Sequence, residues 1–180
     1  MNRLLIVVDY QNDFVNGALG FPGAEKLAGP IAARIADYRA NGDDVIFTFD
    51  THGADYLDTQ EGRRLPVPHC LRDTDGWELY GAVAEAAREE DEFFCKVTFP
   101  SLELGQYLEE CEYAQVELCG LVSHICVLSN AVMVKAALPE AEIVVDAALT
   151  ASYDPVLHEK ALDVLEGLQV TVRNREERHS

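Results

Sequence analysis

The sequence predicts an α/β protein, a three-layer α/β/α sandwich (Rossmann-like) on a six-stranded parallel sheet. Three observations carry this reading. Short runs such as Leu4–Val8 are apolar at successive positions rather than at alternate ones, as strands covered on both faces are. Stretches with apolar residues at helical spacing alternate with these runs. Several runs also stop at a charged residue, Asp9, Asp50 or Lys96, and ligands of such sheets bind beyond the carboxyl ends of the strands.

The elements follow in order. Residues 3–9 read as a first strand ending in an acid, followed by a loop over 10–23 rich in Asn, Gly and Pro. Leu27, Ile31, Ile35 and Tyr38 mark a helix over 24–40, which Asn41-Gly42 stops. Residues 45–49 form a second buried strand, with Asp50 at its end. A long irregular stretch, 51–76, comes next. Loops of this length in a compact domain are functional or disordered, and its histidines and prolines favour an ordered one. A helix over 77–88 and a third strand over 92–96 follow, then a helix over 101–110 with Ser101 as N-cap. Residues 116–119 read as the central strand, broken by Gly120, with a helix from Ile125 to 137. A fifth strand over 142–145 ends at Asp146, and a helix over 155–167 leads to a sixth strand over 169–172. His158 reads as a helix surface residue, and 173–180, with His179, as a tail.

The 180 residues suit one compact domain, taken as 1–180. A net charge of −18 disfavours nucleic acid or an anionic membrane as partner and leaves a small-molecule substrate open. No basic, apolar leader precedes Leu4, and no apolar stretch approaches membrane-spanning length. Cys70, Cys95, Cys111, Cys119 and Cys126 are odd in number and lack zinc-binding spacing, so reduced thiols and a cytoplasmic location are expected.

Two groups of residues carry chemistry. Cys126 sits where a turn enters a helix, and unpaired N–H groups there favour a thiolate; by position alone it reads as a small core cysteine, as most cysteines at strand–helix junctions are. Asp9 could take the thiol proton or cap the following loop. Lys96 could lower the thiol pKa or lie at a sheet edge. Together the three make an acyl-transfer site. The second group is Asp50, His52, Glu61 and His69, whose oxygen and imidazole donors suit zinc, iron or manganese.

Four motifs stand in one order along most of the chain: D-Y-Q-N-D-F at 9–14, F-T-F-D-T-H at 47–52, K-V-T-F at 96–99 and G-L-V-S-H-I-C-V at 120–127. With them the sequence resembles the isochorismatase-like cysteine hydrolases, and within that family the nicotinamidases. The resemblance implies a triad of Asp9, Lys96 and Cys126. It also implies a cis peptide at Leu121–Val122 that aims the Val122 and Cys126 amides into an oxyanion hole. A divalent metal on Asp50, His52 and His69 would hold the pyridine nitrogen, with zinc first and iron or manganese as alternatives. Glu61 is a looser fourth ligand, since Asp55 and Asp58 share its loop. Phe14, Phe99, Leu121 and Trp77 are the expected substrate walls, although Trp77 also suits plain core packing. Ser123 and His124 stand where many relatives have Thr and Asp. The implied reaction is hydrolysis of nicotinamide to nicotinate and ammonia through a cysteine thioester, as in NAD salvage. Another small amide, carbamoyl or ureido compound is the alternative substrate. The resemblance leaves homo-oligomers open, since family members range from monomers to larger assemblies.

Overall fold

The computed structural model describes residues 2–175. In chain order the elements are β1 (Arg3–Val8), α1 (Asn12–Val15), α2 (Ala28–Ala40), β2 (Asp44–Asp50), α3 (Gln60–Arg64), α4 (Gly81–Ala86), β3 (Glu92–Lys96), α5 (Leu102–Glu109), β4 (Gln115–Leu121), α6 (Leu128–Ala137), β5 (Glu142–Ala151), α7 (Pro155–Gly167) and β6 (Thr171–Arg173). The six strands form one parallel sheet in the order β3-β2-β1-β4-β5-β6.

Both faces of the sheet are covered, as the unbroken apolar runs require. Leu4, Ile6 and Val8 of β1 enter one core layer with Leu104, Leu108, Val134 and Leu162 from α5, α6 and α7. Leu5 and Val7 face the opposite way, onto Ile31, Ile35 and Tyr38 of α2 and Val83 of α4. This is the period-two alternation of a strand, with apolar residues on both sides.

The strand order reverses between β1 and β4, so the chain exits of these neighbours diverge and open a crevice at their carboxyl ends. Gly120 makes the close approach of β1 and β4 there workable. Its φ is +106°, and a Cβ at this position would lie 2.1 Å from the Val8 carbonyl oxygen.

Several sequence expectations change. The helix expected over 77–88 is reduced to α4, because residues 77–80 bond to the exit of β1: Tyr80 N–H donates to Tyr10 O at 2.9 Å, and Glu78 O accepts from Asn12 N–H at 2.8 Å. β5 does not end at Asp146 but runs to Ala151. Leu118 pairs with Val145 and Gly120 with Thr150, so β5 bulges between them. Asp146 is buried against Arg34 and Asn174, away from the crevice. The stretch from 173 begins as β6, and Arg175 ion-pairs with Glu159, Asp163 and Glu166 of α7; residues 176–180, including His179, lie outside the described residues. Among the described residues no helix is long and apolar enough to cross a membrane.

Candidate active site

Three strand exits bring Asp9, Lys96 and Cys126 together. Asp9 follows β1 with φ at +45°, a left-handed conformation that turns its carboxylate into the crevice. It is completely buried, and its Oδ1 accepts the Thr48 hydroxyl at 2.6 Å. Its Oδ2 lies 2.6 Å from Lys96 Nζ, a buried ion pair. Lys96, the last residue of β3, donates to Thr98 O at 3.1 Å and reaches Cys126 Sγ at 3.7 Å.

Cys126 sits on a widened turn, Ser123–Val127, between β4 and α6. The Leu121–Val122 peptide before it is cis. The Val122 carbonyl accepts from Ile125 N–H and Val127 N–H, both at 3.2 Å, the residues on either side of Cys126. Asn130, fully buried on α6, donates to the Cys126 carbonyl at 2.8 Å and accepts from Ser101 N–H at 3.0 Å. The turn is thereby tied to the segment that follows Lys96.

Burial decides the electrostatics. It pushes the Cys126 thiol well up, against the pull of Lys96, so the thiolate expected from a helix start gives way to a resting thiol. Burial likewise raises the Asp9 carboxyl, with Lys96 opposing, which makes it a stronger base than an exposed aspartate. Burial works against the charge on Lys96, but Asp9, Cys126 and Asp50 outweigh it and hold the ammonium protonated.

Asp50, His52, Glu61 and His69 converge beside this group, with ligand atoms all within 4.8 Å of one another. Asp50 Oδ2 lies 3.0 Å from His52 Nε2 and 3.2 Å from His69 Nε2; Glu61 Oε1 lies 3.8 Å from both imidazoles. His69 Nδ1 faces the Val67 carbonyl at 2.8 Å, so this nitrogen carries the proton and leaves Nε2 as a lone-pair donor. Two imidazoles and two carboxylates aimed at one point fit a divalent cation. Glu61, rather than Asp55 or Asp58, joins the group because Thr59 starts a helical turn, accepting Gly62 N–H at 3.0 Å, that carries residue 61 inward. Burial would raise the Asp50 carboxyl, but Lys96 and the two histidines hold it well below the usual range.

The D-Y-Q-N-D-F motif explains this convergence. Gln11 is fully buried; its side chain donates to Asp50 O at 2.9 Å and Trp77 O at 2.8 Å and accepts from Asp50 N–H at 2.8 Å. Asp13 Oδ2 accepts Cys70 N–H at 2.7 Å, which fixes the loop beside His69. Phe14 meets the His69 ring edge-on, with centroids 5.6 Å apart. Gly76 lets the loop close over Asp13, since a Cβ there would lie 2.2 Å from its carboxylate.

A cavity of about 450 Å³ opens onto both groups, with Asp50, Glu61, His69 and Cys126 in its wall. Phe14 and Phe99 line it. Leu121 and Trp77, expected in the wall, do not. Leu121 points into the core because it is still part of β4. The Trp77 indole packs on Phe49 and donates to Thr51 Oγ1 at 2.8 Å. Sequence reasoning missed Leu19, Leu65 and Tyr153, which lie outside the periodic segments, and Ile125, which read only as the start of a helix; the four complete the apolar wall. It also misread His158, which is half-buried and hydrogen-bonded to Ser123 Oγ at 2.9 Å.

The Isochorismatase domain family matches residues 3–177. The crystal structure of nicotinamidase/pyrazinamidase from Bacillus subtilis is similar with a TM-score of 0.83 and 33% identity, covering 97% of this chain and 100% of that one. The nicotinamidase of Saccharomyces cerevisiae is 24% identical over 213 residues, 94% of this chain and 98% of the yeast protein. The pyrazinamidase of Pyrococcus horikoshii, solved in complex with zinc, shares the fold at a TM-score of 0.84, with 23% identity over 96% of this chain and 98% of its own.

Proposed function

The chain belongs to the isochorismatase family, and we propose that within it the protein is a cysteine amidohydrolase that converts nicotinamide to nicotinate and ammonia. One observation carries the reading. Lys96 Nζ lies 2.6 Å from Asp9 Oδ2 and 3.7 Å from Cys126 Sγ, at the floor of a cavity whose adjoining wall holds Asp50 and His69.

Cys126 is the nucleophile and Asp9 its base. The thiol proton passes to the Asp9 carboxylate as sulfur bonds to the carboxamide carbon. The Val122 and Cys126 amides receive the developing oxyanion. Asp9 then gives its proton to the departing nitrogen, the C–N bond breaks, and ammonia leaves a thioester. Asp9 next takes a proton from water, whose oxygen attacks the thioester carbonyl. The C–S bond breaks, and the sulfur takes its proton back from Asp9. Lys96 stays charged throughout, holding the Asp9 carboxylate in place and offsetting negative charge at sulfur.

Asp50, His52, Glu61 and His69 would hold a divalent ion, which supplies a Lewis-acid contact for the pyridine nitrogen. Zinc suits the mixed imidazole–carboxylate donors and is the ion in the Pyrococcus horikoshii structure. Phe14 and Phe99, both in the cavity wall, would offer the ring apolar surface. A reducing, cytoplasmic setting suits the five unpaired thiols.

The test is ammonia release from nicotinamide by zinc-loaded protein, with Cys126→Ala in parallel. Release that vanishes in the variant supports the reading. No release from wild-type protein sinks nicotinamide as substrate and turns the search to carbamoyl and ureido amides.

A further inference from the structure

The turn that carries Cys126 is held from behind by groups that the hydrolysis does not use. Ser123, fully buried, is hydrogen-bonded through Oγ to His158 Nδ1 of α7 at 2.9 Å. The next residue, His124, is hydrogen-bonded through Nδ1 to Ser152 Oγ at 2.9 Å, in the loop that leads into α7. Two consecutive turn residues therefore make crossed Ser–His contacts with one neighbouring segment.

That segment is a firm anchor. Asp154 caps α7, accepting Val156 N–H at 2.9 Å and Leu157 N–H at 3.0 Å, and its own N–H donates to Ser152 Oγ at 2.9 Å. Ala161 and Leu162, three and four residues beyond His158, are buried, so His158 shares the inward face of the helix. The turn itself needs an external brace. Its hydrogen bonds to the Val122 carbonyl come from Ile125 and from Val127, a five-residue step wider than an α-helical turn, and such widened turns recur at functional sites. Ser123 directly follows Val122, so whatever orients Ser123 orients the peptide next to the reacting centre. Burial keeps both imidazoles neutral by lowering their pKa values; Asp154 faces His124, and Glu159 and Arg175 face His158.

We propose that His158 is a positioning residue for the nucleophile, acting through Ser123 to fix the orientation of the Val122–Cys126 turn. This rests on the reading of Cys126 as nucleophile. It departs from a purely structural role in one respect: the bond should affect the chemical step more than substrate binding.

The experiment compares His158→Leu, His158→Asn, Ser123→Ala and the double variant His158→Leu/Ser123→Ala. Ammonia release from nicotinamide, melting temperature and the rate of Cys126 alkylation by iodoacetamide are measured for each. His158→Leu is expected to lower kcat roughly tenfold with KM within about twofold, the size of one lost buried hydrogen bond. His158→Asn, whose amide can occupy the Nδ1 position, should recover most of the rate. Ser123→Ala should match His158→Leu, and the double variant should be no worse than either, because all three lose the same contact. Alkylation of Cys126 should slow in parallel.

Wild-type kcat in His158→Leu alongside a lowered melting temperature would overturn the proposal, as would additive losses in the double variant or an Asn variant as impaired as Leu. If His158→Leu does not fold, Ser123→Ala decides, and full kcat there overturns the proposal. If wild-type protein releases no ammonia from nicotinamide yet Cys126 alkylates, the substrate reading fails separately. The alkylation rates then decide the role of His158, with unchanged rates overturning it.

Discussion

The Asp50 carboxylate lies 3.4 Å from the Lys96 ammonium through Oδ1, while its Oδ2 faces the His52 and His69 imidazoles. One buried side chain thus touches both the candidate metal-ligand group and the lysine beside Cys126. Gln11 holds the backbone of Asp50 on both its N–H and C=O sides, which fixes where the carboxylate starts.

Asp50→Asn should therefore damage two functions, whereas His52→Ala should damage one. Both are expected to weaken metal affinity by more than the roughly 10–100-fold that losing an outer-shell partner costs. Only Asp50→Asn also removes the charge beside Lys96, and it should show the larger fall in kcat when metal is supplied in excess. Elemental analysis with metal-saturated kinetics measures this; equal kcat values in the two variants would refute the shared role.

Cys126→Ala should lower turnover by roughly a thousandfold or more while leaving the fold and bound metal unchanged. The side chain is small and only one heavy atom is lost, so the melting curve should move little. Residual ammonia release near the wild-type rate would remove Cys126 from the chemistry.

Asp9→Asn keeps the shape of the side chain and loses the base. A fall in kcat of roughly 10²–10⁴ is expected. In wild-type protein, kcat/KM should fall as the pH drops through the Asp9 pKa. Since burial raises that pKa, the acid limb should lie above the ordinary carboxylate value of about 4. An acid limb at or below that value would show that Asp9 is not the titrating base.

His124 and His158 predict acid lability of the fold. Burial lowers both pKa values relative to the unfolded chain, so the stabilisation is fully present above about pH 6.5 and is lost as pH falls through the lower folded values. His158→Asn should flatten this slope. Urea melts across pH 5 to 8 test it, and an unchanged slope in the variant would assign the acid lability to other groups.

Gly120→Ala combines a positive φ with a Cβ placed 2.1 Å from the Val8 carbonyl oxygen. A loss of roughly 3 kcal/mol or more is expected, read as a lower urea midpoint. A variant as stable as wild type would mean that β1 and β4 can separate without cost.

The sheet and the strand-end residues were legible because they depend on local pattern. Continuous apolar runs mark strands buried on both faces, and Asp9, Asp50 and Lys96 mark where those runs leave the core. The Cys126 turn was legible for the same reason, since an apolar run gives way to a helical repeat there, although β4 runs through Gly120, where the sequence placed the break, to Leu121.

Other features depend on which segments meet. Asp55, Asp58 and Glu61 are alike in one acidic loop, and only the fold of α3 turns Glu61 inward. Trp77 left the expected wall because residues 77–80 bond to the exit of β1, and Leu121 because β4 runs on through it. His158 looks like a surface residue by its helical position until α7 docks on the nucleophile turn. The state of Cys126 shows the division most clearly. Sequence alone determined that a cysteine stands at a strand–helix turn, where the dipole favours a thiolate. Tertiary structure decided that the sulfur is buried 3.7 Å from the Lys96 ammonium and that its thiol pKa is pushed up, because the desolvation comes from distant segments closing around it.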